Sequence, residues 1–183
     1  MVDCTNYLLH RHTAELPPAF RQSARIVLNQ LLSHPDRTPI VLTNSLGDKV
    51  SRLRATLAID GQVAVLGDTR QYDMDPGWTH HFPHPEFGRI QVWPVSQTHS
   101  IDLRRPAYYD ALVRAAAGGS RLVVVADTLS LPGAVPLMMG IPFLLLRTAY
   151  TPEWCAKAVD VHPLGLVLDD LGELPSALDV LPT

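Results

Sequence analysis

The sequence predicts an α/β fold built on a mostly parallel, doubly wound sheet, and three observations carry that expectation. Short aliphatic runs of strand length alternate with segments of helical period along most of the 183 residues. The run Leu122 to Ala126 is almost purely aliphatic, as a parallel strand buried on both faces must be. Strand, helix and strand follow one another at spacings that suit right-handed crossovers between parallel neighbours.

Each element has its own signal. Ala19 to Ser33 places Phe20, Ala24, Val27, Leu28, Leu31 and Leu32 at helical spacing, the stripe of an amphipathic helix. Pro39 to Thr43 is a short strand rich in β-branched residues, and Leu46 to Leu57 returns to helical spacing through Val50 and Leu53. Gln62 to Leu66 predicts a second strand and Arg89 to Val95 a third. Pro106 to Ala117 is a helix with proline in its first turn and Gly118-Gly119 past its end. Leu122 to Ala126 is the fourth strand. Then come a helix over Leu131 to Met139, a strand over Phe143 to Leu146, and a helix over Pro152 to Val159 with Thr151 as its cap. A short strand at Leu166 to Leu168 and a helix over Leu174 to Leu181 complete the chain. Asp68 to Phe87 breaks the rhythm with Pro76, Gly77, Pro83 and Pro85, so residues 68–88 form a long loop or insertion on a single domain spanning 1–183.

Composition narrows the function. With 46% hydrophobic residues the chain can bury a core, which excludes a disordered class. A net charge of −3 offers no electrostatic footprint for nucleic acid or an anionic membrane. The longest apolar runs, such as Ile141 to Leu146, are too short to span a bilayer. Met1 to His10 has neither a basic start nor an apolar run, so no signal peptide is expected, and the two cysteines, Cys4 and Cys155, make no disulfide framework. A cytoplasmic protein is the expectation.

Ligands of an open parallel sheet bind at the carboxyl ends of its strands. The polar residues there are Thr43, Asn44 and Ser45, then Gly67 and Asp68, then Asp127, Thr128 and Ser130, with Arg104-Arg105 at a helix start between them. Singly, each is an ordinary cap or turn residue. Together they offer hydroxyls, a carboxylate for a hard cation and a guanidinium fork for phosphate.

Those residues resemble the haloacid dehalogenase-like (HAD-like) hydrolase superfamily over roughly residues 19 to 150. Pro39-Ile40-Val41-Leu42-Thr43-Asn44-Ser45 is similar to its second motif, an apolar strand ending in Thr or Ser. Arg105-Pro106 followed by Tyr108-Tyr109 resembles its third, and Val123-Val124-Val125-Ala126-Asp127 with Gly133-Ala134 and Gly140-Ile141-Pro142 its acidic fourth. The resemblance implies a three-layer Rossmann-like sandwich and Mg²⁺-dependent phosphoryl transfer from a small phosphorylated substrate through an aspartyl-phosphate. It makes Asp3 the nucleophile and places Thr5 where the general acid stands. Thr43 and Arg105 bind the phosphoryl group, Asn44, Ser45 and Arg104 bind substrate, and Asp3 and Asp127 hold the metal. One helix between Asp3 and Thr43 leaves no room for a large cap domain, and the 68–87 segment covers the site instead.

Departures from the pattern keep a second class open. Only Met1 and Val2 precede Asp3-Cys4-Thr5-Asn6-Tyr7, too few for a full first strand, and no second carboxylate follows Asp127 through Pro132. The alternative is a catalytically degenerate HAD-like domain that binds a ligand or a protein partner. A third reading, an unrelated flavodoxin-like binding domain, would hold phosphate on backbone amides. His80, His81 and His84 have loose metal spacing with no local cysteine, and Trp78, Phe82 and Phe87 beside them suit sheet cover. Asp73 and Asp75 read as a turn pair, and Cys4 as a buried thiol.

Overall fold

Six short strands, all parallel, form the main sheet of the computed structural model, which describes residues 2–3, 18–43, 47–57, 63–68, 70–117 and 121–181. They are β1 (Val2–Asp3), β2 (Ile40–Leu42), β3 (Ala64–Leu66), β8 (Val124–Ala126), β9 (Phe143–Leu146) and β10 (Gly165–Leu168), in the spatial order β10-β9-β8-β1-β2-β3. Two antiparallel ribbons stand apart from it: β4 (Phe82–His84) with β5 (Gly88–Ile90), and β6 (Val92–Pro94) with β7 (Ser100–Asp102). The architecture is mixed α/β. Among the described residues no helix is long and apolar enough to cross a membrane.

The helices are α1 (Pro18–Leu32), α2 (Gly47–Leu57), α3 (Pro106–Ala116), α4 (Ala134–Met138), α5 (Glu153–Asp160) and α6 (Leu174–Val180). Alternation along the central strands decides where they pack. Val124, Ala126, Phe143 and Leu145 share one apolar cluster with Leu112 of α3, Val135 of α4 and Val159 of α5. The intervening Val125 and Leu144 turn to Val27 and Leu31 of α1 and to Leu174 and Ala177 of α6. Ala24 and Leu28, also on α1, meet Val41 and Val65. A period of two in the strands meets a period of three and four in the helices, so β8 and β9 are covered on both sides. Each fully buried leucine there contributes about 1.5–3 kcal/mol of transfer free energy.

Two expectations need correction. Arg89 to Val95 is not a strand of the main sheet; Gln91 interrupts it, and its halves belong to the two separate ribbons. The side-chain amide of Gln91 donates to the Trp78 carbonyl at 2.6 Å, and Pro94 has no N–H to give a central strand. Among the described residues, none from 67 to 105 belongs to a strand of the main sheet.

The helix expected over Leu131 to Met139 begins instead as a π-turn, Leu129–Gly133, that runs into α4. Pro132 lies inside it and lacks the N–H an α-turn would use, while the Ala134 N–H reaches back to the Leu129 carbonyl. Gly133 is required by close approach: a Cβ there would lie 2.5 Å from the Phe143 ring of β9.

Candidate functional site

Three adjacent strands carry the sequence candidates to one edge of the sheet. β1 lies between β8 and β2, with Val2 in register with both Val125 and Val41, and Asp3 in register with Leu42. Thr43 follows Leu42 and Asp127 follows Ala126, so the backbones of Asp3, Thr43 and Asp127 meet at the carboxyl ends of neighbouring strands. Although only two residues long, β1 places Asp3 on an inner strand of the sheet. Thr5, Asn44 and Ser45 lie outside the described residues, as does Cys4.

Local contacts fix the neighbouring turns. Thr43 is buried, and its N–H donates to the Leu66 carbonyl at 2.9 Å, extending the ladder one residue past β2. The Thr151 hydroxyl accepts from the Thr148 N–H at 2.9 Å and donates to the Asp127 carbonyl at 3.3 Å. That is a correction, because Thr151 does not cap α5. Pro152 occupies the N-cap position, and the Thr151 side chain ties the turn after β8 to the turn after β9. The Thr128 hydroxyl, next to Asp127, is buried without a hydrogen-bond partner among the described residues.

The two arginines have different environments. Arg104 is gripped by Asp102, whose carboxylate accepts from its Nε at 3.0 Å and its Nη2 at 2.6 Å, while its Nη1 donates to the Pro76 carbonyl at 3.0 Å. The hydrogen bond from Arg104 holds the Asp102 carboxyl below the ordinary carboxylate range, and Asp102 in turn raises the Arg104 guanidinium. Arg105 is only 8% exposed. Its Nη1 donates to the Tyr72 carbonyl at 2.9 Å and the Gln71 carbonyl at 3.4 Å, and its Nε has no partner among the described residues. Burial lowers its pKa against the weaker opposing pull of Asp102 and Tyr72, yet an arginine stays cationic under any such shift.

Arg105 therefore carries a buried positive charge with no carboxylate at ion-pair distance among the described residues, because Asp102 is taken by its neighbour. Buried charges are costly unless paired, and the Gln71 and Tyr72 carbonyls are the partners that this guanidinium has among the described residues. Its position follows from the chain path: α3 runs back from the carboxyl edge before β8, and Arg105 stands at its start. Tyr108, in the first turn of α3, donates its hydroxyl to the Pro132 carbonyl of the π-turn at 3.0 Å.

The 67–105 segment touches this edge only in part. Gln71 and Tyr72 pass beside Arg105, whereas Trp78, His80 and Phe82 pack around Tyr109 of α3. Asp73 pairs with Arg70 and Asp75 accepts from the Gly77 N–H, as a turn pair would. Among the described residues no group of three or more His, Cys, Asp or Glu is placed to hold a metal. Cys155 is a buried free thiol, pushed up by that burial. Sequence reading missed Gln71, Tyr72 and Asp102. The first two act through backbone carbonyls, which carry no residue signature, and Asp102 sits in a ribbon the periodicity did not show.

Comparison of the chain with family models, with curated proteins and with solved structures finds no match.

Proposed function

We propose that this chain is a HAD-like hydrolase that transfers a phosphoryl group from a small phosphorylated substrate through an aspartyl-phosphate, on a doubly wound, three-layer Rossmann-like sandwich. The observation that supports this most is the buried Arg105, with no carboxylate at ion-pair distance among the described residues, at the start of the helix whose Tyr108 bonds to the turn after Asp127. In this reading a carboxylate oxygen of Asp3 attacks phosphorus and the bond to the leaving oxygen breaks. Water then attacks the acyl phosphate, releasing inorganic phosphate and the Asp3 carboxylate. Thr43 donates a hydrogen bond to the phosphoryl oxygens and Arg105 offsets their charge.

The donor set suits a hard cation, since two carboxylates on adjacent strand ends, with substrate oxygens and water, match what Mg²⁺ takes. Bound by Asp3 and Asp127, it would supply charge neutralisation for the transferring group. Thr5 stands where a general acid would, so the leaving oxygen departs unaided and substrates with acidic leaving groups are favoured. The buried free thiol of Cys155 suits a cytoplasmic setting.

Inorganic phosphate tests the anion site directly. Phosphate is expected to raise the melting temperature of the wild type, by about 2–4 °C for each kcal/mol of binding. Arg105→Met, which keeps the bulk and removes the charge, is expected to abolish that rise. An equal rise in both proteins contradicts the reading.

One observation favours a second reading, the degenerate binding module. The turn after Asp127 has no carboxylate from Thr128 to Gly133, and Leu129, Pro132 and Gly133 there are buried in the core. That module would bind phosphate through Arg105 and turn over no phosphate ester.

A further inference from the structure

The turn that follows β9 is locked by hydrogen bonds and yet presents an open aromatic ring. The Thr151 N–H donates to the Thr148 carbonyl at 3.1 Å, which closes a β-turn with Tyr150 at its third position. The Thr148 N–H donates to the Thr151 hydroxyl at 2.9 Å, and the Tyr150 N–H donates to the Thr148 hydroxyl at 3.1 Å. The two hydroxyl oxygens are 3.2 Å apart. Since the Thr151 hydroxyl gives its proton to the Asp127 carbonyl at 3.3 Å, the Thr148 hydroxyl is the donor between them. One chain of donors thus runs from the Tyr150 backbone through both threonines to Asp127.

The entry to the turn is tied as well. The Arg147 N–H donates to the Leu168 carbonyl at 2.7 Å, and the Arg147 guanidinium faces Asp169 at 3.3 Å, so the cation beside the turn already has its carboxylate. On this fixed backbone the Tyr150 side chain is 70% exposed, the most of any described aromatic residue, with Phe87 next at 49%. A ring held out on a rigid turn has only its own torsions to order on binding, so it offers contact area at low entropic cost. Its place is the edge where ligands of a parallel sheet bind: it follows β9, and the neighbouring β8 ends at Asp127.

We propose that Tyr150 is a specificity residue that stacks on the leaving group of the substrate, and that the substrate class is therefore the aryl phosphate monoesters. This deepens the phosphoryl-transfer reading and rests on it. Leaving-group chemistry points the same way from a different residue. In that reading Thr5 stands in the general acid's place, so the leaving oxygen receives no proton as its bond to phosphorus breaks. Asp3 forms the new bond to phosphorus, and the old bonding pair departs on the leaving oxygen. A phenol, with a pKa of about 10, carries that pair far more readily than an alkyl alcohol, whose oxygen resembles that of water at about 15.7. The phenolate takes its proton from water after release. A ring for Tyr150 to stack on and an oxygen acidic enough to leave unaided belong to one molecule.

The size of the effect follows from what one stacked ring contributes. An offset or edge-on aromatic pair changes affinity about three- to tenfold. The ring is held alike before and during bond breaking, so its loss raises KM and leaves kcat nearly as it was.

Calorimetric titration of the full chain with phenylphosphonate and with methylphosphonate, which bind without turning over, tests the stack apart from the chemistry. The wild type is expected to bind the phenyl compound about three- to tenfold more tightly. Tyr150→Ala is expected to lose that preference and Tyr150→Phe to keep it; the side chain is exposed, so both variants are expected to melt with the wild type. Turnover of p-nitrophenyl phosphate and acetyl phosphate gives a second reading, since both leaving groups are acidic and one carries a ring. The ratio of their kcat/KM values is expected to fall by the same factor in Tyr150→Ala, through KM, and to hold in Tyr150→Phe. Equal affinity of the wild type for the two phosphonates, or a preference that survives Tyr150→Ala, overturns the stack and leaves phosphoryl transfer through Asp3 standing. A preference lost in Tyr150→Ala without turnover of either ester supports the stack and overturns the catalytic reading. Binding of neither phosphonate overturns the proposal, and absence of turnover as well overturns the reading beneath it.

Discussion

Tyr108 and Pro132 join the two halves of the candidate site: the Tyr108 hydroxyl, fully buried, donates to the Pro132 carbonyl at 3.0 Å. Tyr108 belongs to the helix that starts after Arg105, and Pro132 to the π-turn that follows Asp127. One hydrogen bond thus ties the helix that begins after Arg105 to the turn that follows Asp127.

Tyr108→Phe removes the hydroxyl and keeps the ring. The Pro132 carbonyl then loses a buried donor, and a cost of about 1–2 kcal/mol is expected. Urea unfolding measures it as a lower midpoint with an unchanged slope. An unchanged midpoint would show that the π-turn does not depend on this contact.

Gly133→Ala tests the same turn from its other side. The added methyl would lie 2.5 Å from the ring of Phe143, a fully buried residue of β9. Overpacking of this kind typically costs about 1–3 kcal/mol. Thermal unfolding is expected to drop by several degrees, and a melting temperature equal to the wild type would mean the turn can shift away from β9.

Much of the architecture was legible in the residues because burial on both faces leaves a strong mark. Leu122 to Ala126 and Phe143 to Leu146 are aliphatic runs that only a covered parallel strand explains, and both appear as central strands. The ribbons were not legible for the opposite reason. Their buried residues, Phe82, Ile90, Trp93 and Ile101, are single side chains set among exposed neighbours, and strands of three residues are too short to establish a period. At the site, the strand-end rule led to Thr43 and Asp127. It could not separate Arg104 from Arg105, because the difference lies in Asp102, a ribbon residue that takes one guanidinium and leaves the other.

Asp102→Asn addresses that division of labour. The Asp102 carboxyl is held down chiefly by its hydrogen bond from Arg104, so it stabilises the fold above its ordinary value of 3.8 and loses that contribution as pH falls through its lower folded value. The variant is expected to be less stable than the wild type at pH 6, with the gap closing toward pH 2–3 as both side chains become neutral, by roughly the same linkage that governs acid unfolding. Chemical unfolding across that range measures it, and a constant gap would contradict the pairing. Arg104→Ala is expected to keep phosphate stabilisation, because Arg104 is already engaged by Asp102 and Pro76.

The most direct test of the account is turnover of p-nitrophenyl phosphate, with and without Mg²⁺, by the wild type and by Asp3→Asn side by side. Its acidic leaving group suits a site with Thr5 in the general acid's place. The account predicts Mg²⁺-dependent turnover in the wild type and its loss in Asp3→Asn. Turnover that survives Asp3→Asn, or a wild type that neither turns over the ester nor gains stability from Mg²⁺ and phosphate, contradicts it.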